Sequence, residues 1–411
     1  MPEEYGSGTL SILRRNGIAV VSLNQFMRIF ARSQLWIFLP LYLLDIRHVP
    51  YIEIGFVIFA MAISSLPLTL MAGKIIDRRG ARAVIIASNI LLTTLFFILT
   101  ALIFLKSSLI LIYLILVLSE PLMSIIGASD NVIVSNNTSS FERNSAFSIT
   151  RILQNVGFSL GPTVGGLLAG FGYTYIFLIT SIFSIGELVV YMIFLKKDRF
   201  NSGTGDSKGE KLKLDSFSSF RNMPFLIVTL LISLTYLILG QWGSTLTFFW
   251  KGFDHMSDFQ VGLLYSVNGI VVTVAQLPIN RILRRFGDIF KINLGYLVYV
   301  MSFALLPFFT GFMFLVIDTI LISIGENINS PSINTVVSKI SPPDKRGQYF
   351  TSFQVMTGVT MPIAPVLGTV LLTLYSSDLG RIWYPITILG SIFFVLSIHF
   401  WRKINMAEHN N

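Results

Sequence analysis

Cysteine is absent from this chain. Disulfides, thiolate metal ligands and thiol nucleophiles are therefore excluded. Charge is scarce too: Asp, Glu, Lys and Arg make up 12% of the 411 residues, against about 25% in an average soluble domain. A water-facing surface cannot be built from so few. Nor is there a Gly-rich loop ending in lysine to cradle ATP phosphates. Histidine occurs four times, at His48, His255, His399 and His409, all outside the spans expected to line a cavity. Metal sites, cofactors and enzyme activity are not expected, which leaves a transmembrane gradient as the source of energy. No cleavable leader is expected either, because the first apolar stretch is long and carries polar residues where a leader is plain.

What fills the chain instead is apolar: 53% of it is hydrophobic. A bilayer core about 30 Å thick needs roughly 20 apolar residues per helical span. Such stretches follow one another at 17–44, 52–73, 83–105, 108–135, 145–170 and 173–196, then at 222–250, 258–280, 290–311, 313–338, 348–375 and 380–402. The longest polar break, 197–221, carries Gly203, Gly205, Gly209 and four lysines. The spacing predicts an N-terminal six-helix bundle over 1–196, a cytoplasmic linker over 197–221 and a C-terminal six-helix bundle over 222–411. The fold class is an all-α membrane protein.

The net charge of +9 forms no continuous basic face, so nucleic acid is not an expected partner. It is a topology signal. Nearly all Lys and Arg fall in loops on one side, whereas the other side holds only Arg47, Lys106, Lys251 and Arg381. By the positive-inside rule both termini are cytoplasmic. Pro162 and Gly165 recur as Pro365 and Gly368, and Arg143 as Arg346, each 203 residues later, so the halves read as an internal repeat.

Between the second and third spans lies Gly73-Lys74-Ile75-Ile76-Asp77-Arg78-Arg79-Gly80-Ala81-Arg82. These residues fit the Gly-x-x-x-Asp-Arg/Lys-x-Gly-x-Arg loop of the major facilitator superfamily, and the chain resembles a twelve-helix secondary transporter of two pseudo-symmetric bundles. The resemblance implies a switching role for Gly73, Asp77, Arg78, Gly80 and Arg82. Asp77 is expected to dock on the N-terminus of the eleventh span, whose unpaired N–H groups attract a carboxylate. In the loop between spans eight and nine Arg284 stands where Asp77 stood, so no second latch is expected.

Span five carries Gly157-Phe158-Ser159-Leu160-Gly161-Pro162-Thr163-Val164-Gly165-Gly166, similar to a stretch found in drug/proton antiporters of that superfamily. Small residues let backbones approach closely and Pro162 kinks the helix, so Gly161 and Pro162 are expected in a flexible seam between the halves. The resemblance also places Asp130 in a network with the charged loop, pairing with Arg78, Arg82 or Arg151. The family's usual arginine on span four is missing, and Met123 precedes Gly127 there.

A charge at mid-bilayer costs about 2.5–3.5 kcal/mol and persists only with partners or in a wet cavity. Arg28 and Arg32 lie one turn apart near the middle of span one, with Glu120 and Glu326 at similar depth and Asp318 nearer the outside. Glu120 is expected to neutralise one arginine. Glu326, with Asn327 and Asn329 beside it, is the expected proton-binding carboxyl, and Gln241 is expected to orient a ligand. Glu187 in span six has no evident partner. The favoured function is a monomeric, proton-coupled exporter of small amphipathic compounds in the cell membrane. An uptake carrier for an organic anion is the second reading, supported by the midplane arginines. A non-transporting sensor or scaffold is the third.

Overall fold

A computed structural model describes residues 16–139, 142–195, 219–342 and 345–409, so most of the expected linker lies outside the described residues. Every regular element among the described residues is helical. The first half contains α1 (Asn16–Leu41, followed by a π turn at Tyr42–Ile46), α2 (Tyr51–Arg79), α3 (Ala81–Phe104), α4 (Leu109–Asn136), α5 (Arg143–Phe171) and α6 (Thr174–Phe194). The second contains α7 (Met223–Leu239), α8 (Ser244–Gly252), α9 (Asp258–Ile282), α10 (Asp288–Leu305), α11 (Phe312–Ile340), α12 (Arg346–Thr360), α13 (Ile363–Leu374) and α14 (Trp383–His409).

Local chemistry explains several boundaries. Asn222 caps α7 by accepting the Phe225 N–H at 3.2 Å, with Pro224 in the first turn, where a missing N–H costs nothing. The segment Gly73 to Arg82, expected as a loop, is almost wholly helical. α2 runs on through Arg79, and only Gly80, at φ +80°, separates it from α3. That left-handed angle is cheap for glycine and costly for other residues.

Spans seven and eleven, expected as single helices, are each broken. A 3₁₀ turn at Gly240–Trp242 separates α7 from α8. α12 stops at Thr360 and α13 starts at Ile363, where Pro362 lacks the N–H that would bond the Gly358 carbonyl. Pro162, whose counterpart in the repeat is Pro365, leaves α5 continuous over 29 residues.

Eleven helical segments among the described residues are long and apolar enough to cross a bilayer. α5 has the length but is diluted by Ser148, Arg151, Gln154, Asn155 and its glycines. Large apolar side chains lie on the outside, with Phe171 81% and Leu277 79% exposed. In water such a surface would aggregate; in a bilayer it is the solvated face.

The chain divides into two compact units. Unit 1 is Met1–Tyr42, Ala60–Gly205 and Asp258–Ser266; unit 2 is Leu43–Phe59, Asp206–Ser257 and Val267–Asn411. In unit 1, α1 packs on α5 and α6, and α3 packs on α4 and α6. The glycines of α5 serve the first of these contacts. A Cβ at Gly157 would meet the backbone of Phe26 and Phe30, and one at Gly161 would meet the Phe30 carbonyl and the Ser33 hydroxyl. These glycines thus seat α5 on α1 inside its own unit, and only Gly166 turns toward Asp258 and Phe259 at the start of α9. Gly161 of the expected seam therefore packs within its own bundle, whereas Pro162 lies against Gly262 of α9 and the Thr163 hydroxyl bonds that of Ser266 at 2.6 Å, so this stretch also faces a helix of the second half.

In unit 2 the core contains Phe225, Val228, Ile232, Ile292, Val337 and Phe353. Between α8 and α9, Asp254 accepts the Gly311 N–H at 3.3 Å. Burial pushes its carboxyl up from 3.8 to about 6, with the Gly311 bond and His255 acting in the opposite direction. An acid raised on folding holds extra protons in the folded state between those values, so stability falls as pH rises through that window and levels off above it. In thermal unfolding of detergent-solubilised protein, Asp254→Asn is expected to flatten this fall between pH 3.8 and about 6. A slope identical to that of the unsubstituted protein would refute the assignment.

Candidate functional site

Residues four apart on a helix share a face, and on α1 this puts Arg28 and Arg32 in line. Their surroundings differ sharply. Arg28 is buried: its Nη2 pairs with Asp130 Oδ2 on α4, and its Nη1 lies 3.5 Å from Glu187 Oε2 on α6. Asp130 gathers further donors, the Tyr191 hydroxyl at 2.7 Å on Oδ1 and Gln25 Nε2 at 3.5 Å on Oδ2. Gln25 in turn accepts from Gln154 Nε2 of α5 at 2.7 Å. Side chains from α1, α4, α5 and α6 thus form one buried polar chain, each member answering a hydrogen-bonding need of the next.

One turn along α1, Arg32 Nη2 donates to Glu120 Oε2 of α4 at 3.0 Å. This pair is open: the arginine side chain is 41% exposed and the glutamate 17%. A half-exposed ion pair exchanges partners at little cost, because water or a ligand replaces whichever group leaves. A fully buried pair does not, since removing either member strands the other charge. The two arginines therefore differ in kind, Arg32 in a pair open to exchange and Arg28 in one that is closed.

Asp130 was expected to pair with Arg78, Arg82 or Arg151. It pairs with Arg28 instead. Asp130 lies six residues short of the end of α4 at Asn136, roughly 9 Å along the axis at 1.5 Å per residue. The long guanidinium side chain reaches it from α1. Arg82 instead donates from Nε to the Leu195 carbonyl at 2.8 Å, satisfying the C-terminal end of α6. Arg78, Arg151 and Asp77 are exposed. The partner of Glu187 that the sequence left open is Arg28.

In unit 2 the expected residues separate. Glu326 is part-buried on α11 and accepts from Asn268 Nδ2 of α9 at 3.3 Å, and the same Nδ2 group also donates to the Ser323 hydroxyl at 2.9 Å. Asp318 is buried against Ser302 of α10, and Asn327 is turned to the Val271 carbonyl. Asn329 bonds the Ile292 carbonyl at 3.2 Å.

Gln241, expected to orient a ligand, is fully buried and committed to the fold. Its amide donates to the Leu237 and Ala364 carbonyls at 2.8 and 2.9 Å, while its Oε1 accepts from Thr245. The break between α7 and α8 frees backbone groups that need such partners, which is why the glutamine is spent there. In the loop after α9 the acid is displaced rather than lost. Asp288 pairs with Lys291 at 3.1 Å and Lys339 at 2.6 Å.

Tyr191 was not singled out from sequence. Its spacing held a signal, since it lies one turn from Glu187 on α6. Asn268 gave none, being one amide among several.

The sequence profile of the Major Facilitator Superfamily matches residues 21–317 and 255–410. An uncharacterized MFS-type transporter of Bacillus subtilis, YttB, is 26% identical over 65% of this chain and 66% of its own. Multidrug resistance protein 1 of the same organism is 21% identical over 85% of this chain and 88% of its own. The tetracycline resistance protein, class C, of Escherichia coli is 25% identical over 80% and 83%. Among solved structures, the nucleoside transporter NupG superposes with a TM-score of 0.76 at 16% identity, over 94% of this chain and 99% of that one. With both halves matched by the family profile and the helical architecture shared, this multi-pass membrane protein belongs to the Major Facilitator Superfamily of transporters.

Proposed function

We propose that this chain is a proton-coupled exporter of small amphipathic compounds. It works by alternating access, as a monomer in the cell membrane with both termini cytoplasmic. The observation that carries the reading is the half-exposed Arg32–Glu120 pair in the middle of α1 and α4, an ion pair where a charge persists only if it faces protein or water. The drug and tetracycline resistance proteins among its relatives support export. Arg32 and Glu120 meet the substrate, and Glu326 carries a proton in unit 2. Gly73, Asp77, Arg78, Gly80 and Arg82 serve the switch, with the exposed Asp77 carboxylate as its docking group.

In proteoliposomes under an imposed pH gradient, a lipophilic cationic dye is expected to move against its concentration gradient. Arg32→Ala and Glu326→Gln are each expected to cut that movement at least tenfold. The second reading, uptake of an organic anion, is favoured by the 41% exposure of the Arg32 side chain. Dye movement indifferent to the gradient, with a labelled organic anion accumulating only when Arg32 is intact, would replace the first reading by the second.

A further inference from the structure

The buried cluster in unit 1 has an unbalanced charge. One guanidinium, Arg28, faces two carboxyls, Asp130 and Glu187, so the trio is neutral only when it holds one proton. A net charge at this depth is costly. The two carboxyls are unequally provided for. Asp130 takes hydrogen bonds from Arg28, Tyr191 and Gln25, the arrangement an ionised carboxylate requires. Among the described residues Glu187 has a single hydrogen bond, with Arg28 at 3.5 Å, at the outer limit for such a bond.

A second observation points to the same residue. Thr93 of α3 and Ser184 of α6 are hydrogen-bonded at 2.8 Å. Asn89 lies one turn before Thr93 and Glu187 one turn after Ser184. On these antiparallel helices Asn89 and Glu187 therefore share a level. Asn89 is fully buried, its Nδ2 donates to the Ile85 carbonyl at 2.9 Å, and its Oδ1 accepts nothing. A buried acceptor without a donor is expensive. An ionised Glu187 has no hydrogen to offer it, and a protonated one does.

We infer that Glu187 is a proton-binding site of this transporter, holding a hydrogen that Asn89 accepts and giving it up when α1 moves. The charged groups acting on Glu187 are Arg28 from α1 and Asp130 from α4. Tyr191 lies on its own helix. α3 presents the neutral Asn89 and Thr93, and among the described residues α5 is hydrogen-bonded to the cluster through Gln154 and Gln25. Bound, the proton leaves Arg28 neutralised by Asp130 alone. Released to water, it leaves two carboxylates on one guanidinium, a state that draws positive charge closer and so favours displacement of α1, which also carries Arg32. The site rests on the proton-coupled reading for its role in transport, and it is separate from Glu326.

Infrared difference spectra between acid and alkaline buffer, taken on the full chain in lipid, test the site without any substrate. A protonated-carboxyl C=O band is expected that disappears in Glu187→Gln, survives in Glu326→Gln, and appears only at lower pH in Asp130→Asn, which leaves Arg28 facing one carboxyl. Asn89→Leu, which removes the acceptor, is expected to shift that band to higher frequency, and it decides the matter if Glu187→Gln does not fold. Spectra of Glu187→Gln or Asn89→Leu indistinguishable from the unsubstituted protein would overturn the proposal. Failure of dye export with the band intact would sink only the transport reading.

Discussion

Arg28→Ala is expected to be the most damaging single substitution in unit 1. It leaves the Asp130 carboxylate, which is wholly buried on α4, without its cation. Stripping one member from a buried pair costs about 3–5 kcal/mol, a large part of the 5–15 kcal/mol by which folded proteins are typically stable. The damage should reach past one contact, because α1, α4 and α6 all meet at this guanidinium. The unfolding midpoint of the purified protein measures it. The double substitution Arg28→Met with Asp130→Asn should recover much of the loss, since a neutral amide in place of the carboxylate no longer demands a cation. If Arg28→Ala unfolds at the same temperature as the unsubstituted chain, the buried pair has no structural weight.

Gly161→Val should be nearly as harmful for a steric reason. A Cβ there runs into the Phe30 carbonyl and the Ser33 hydroxyl. Backbone cannot step aside without moving α1, and overpacking of this kind costs about 1–3 kcal/mol, occasionally more. The displacement would be felt at Arg28 and Arg32, two residues either side of Phe30. Gly73→Ala is the control: nothing lies within 4 Å of a Cβ at Gly73, and alanine is the better helix former by about 1 kcal/mol. Thermal unfolding should separate the two clearly. Equal midpoints would mean that α1 and α5 do not meet as closely as described.

Much of the fold could be read from the chain because a bilayer enforces it. Each crossing needs a run of apolar residues of known length, and so the positions of the helices follow from counting. Rotation about a helix axis does not follow. Counting put Arg28, Arg32 and Glu120 at one depth, and Arg32 does meet Glu120. The resemblance tied Asp130 to the charged loop, whereas the arginine that reaches it stands on the neighbouring helix α1. Asp318 and Asn327 were placed by depth, but their faces of α11 turn toward α10 and α9, which no one-dimensional pattern records. The Gly73 to Arg82 stretch was read as a loop because its charges look solvated. An exposed helix end carries charge equally well, and Gly80 alone makes the turn.

Gln241 was misjudged for another reason. Apolar patterning is blind to a helix that stops and restarts inside the membrane, and the amide that repairs such a break looks the same in sequence as one that awaits a ligand.

That repair has a mechanical consequence. In unit 2 both α7–α8 and α12–α13 are severed part-way across, and Gln241 ties one fracture to the other through the Ala364 carbonyl. Unit 1 has no such joint in α5, whose 29 residues run unbroken beneath α1. The repeat has thus produced one girder and one knee. Flexing across these breaks is expected to be resisted by the Gln241 bonds that span them, a restraint that α5 has no need of.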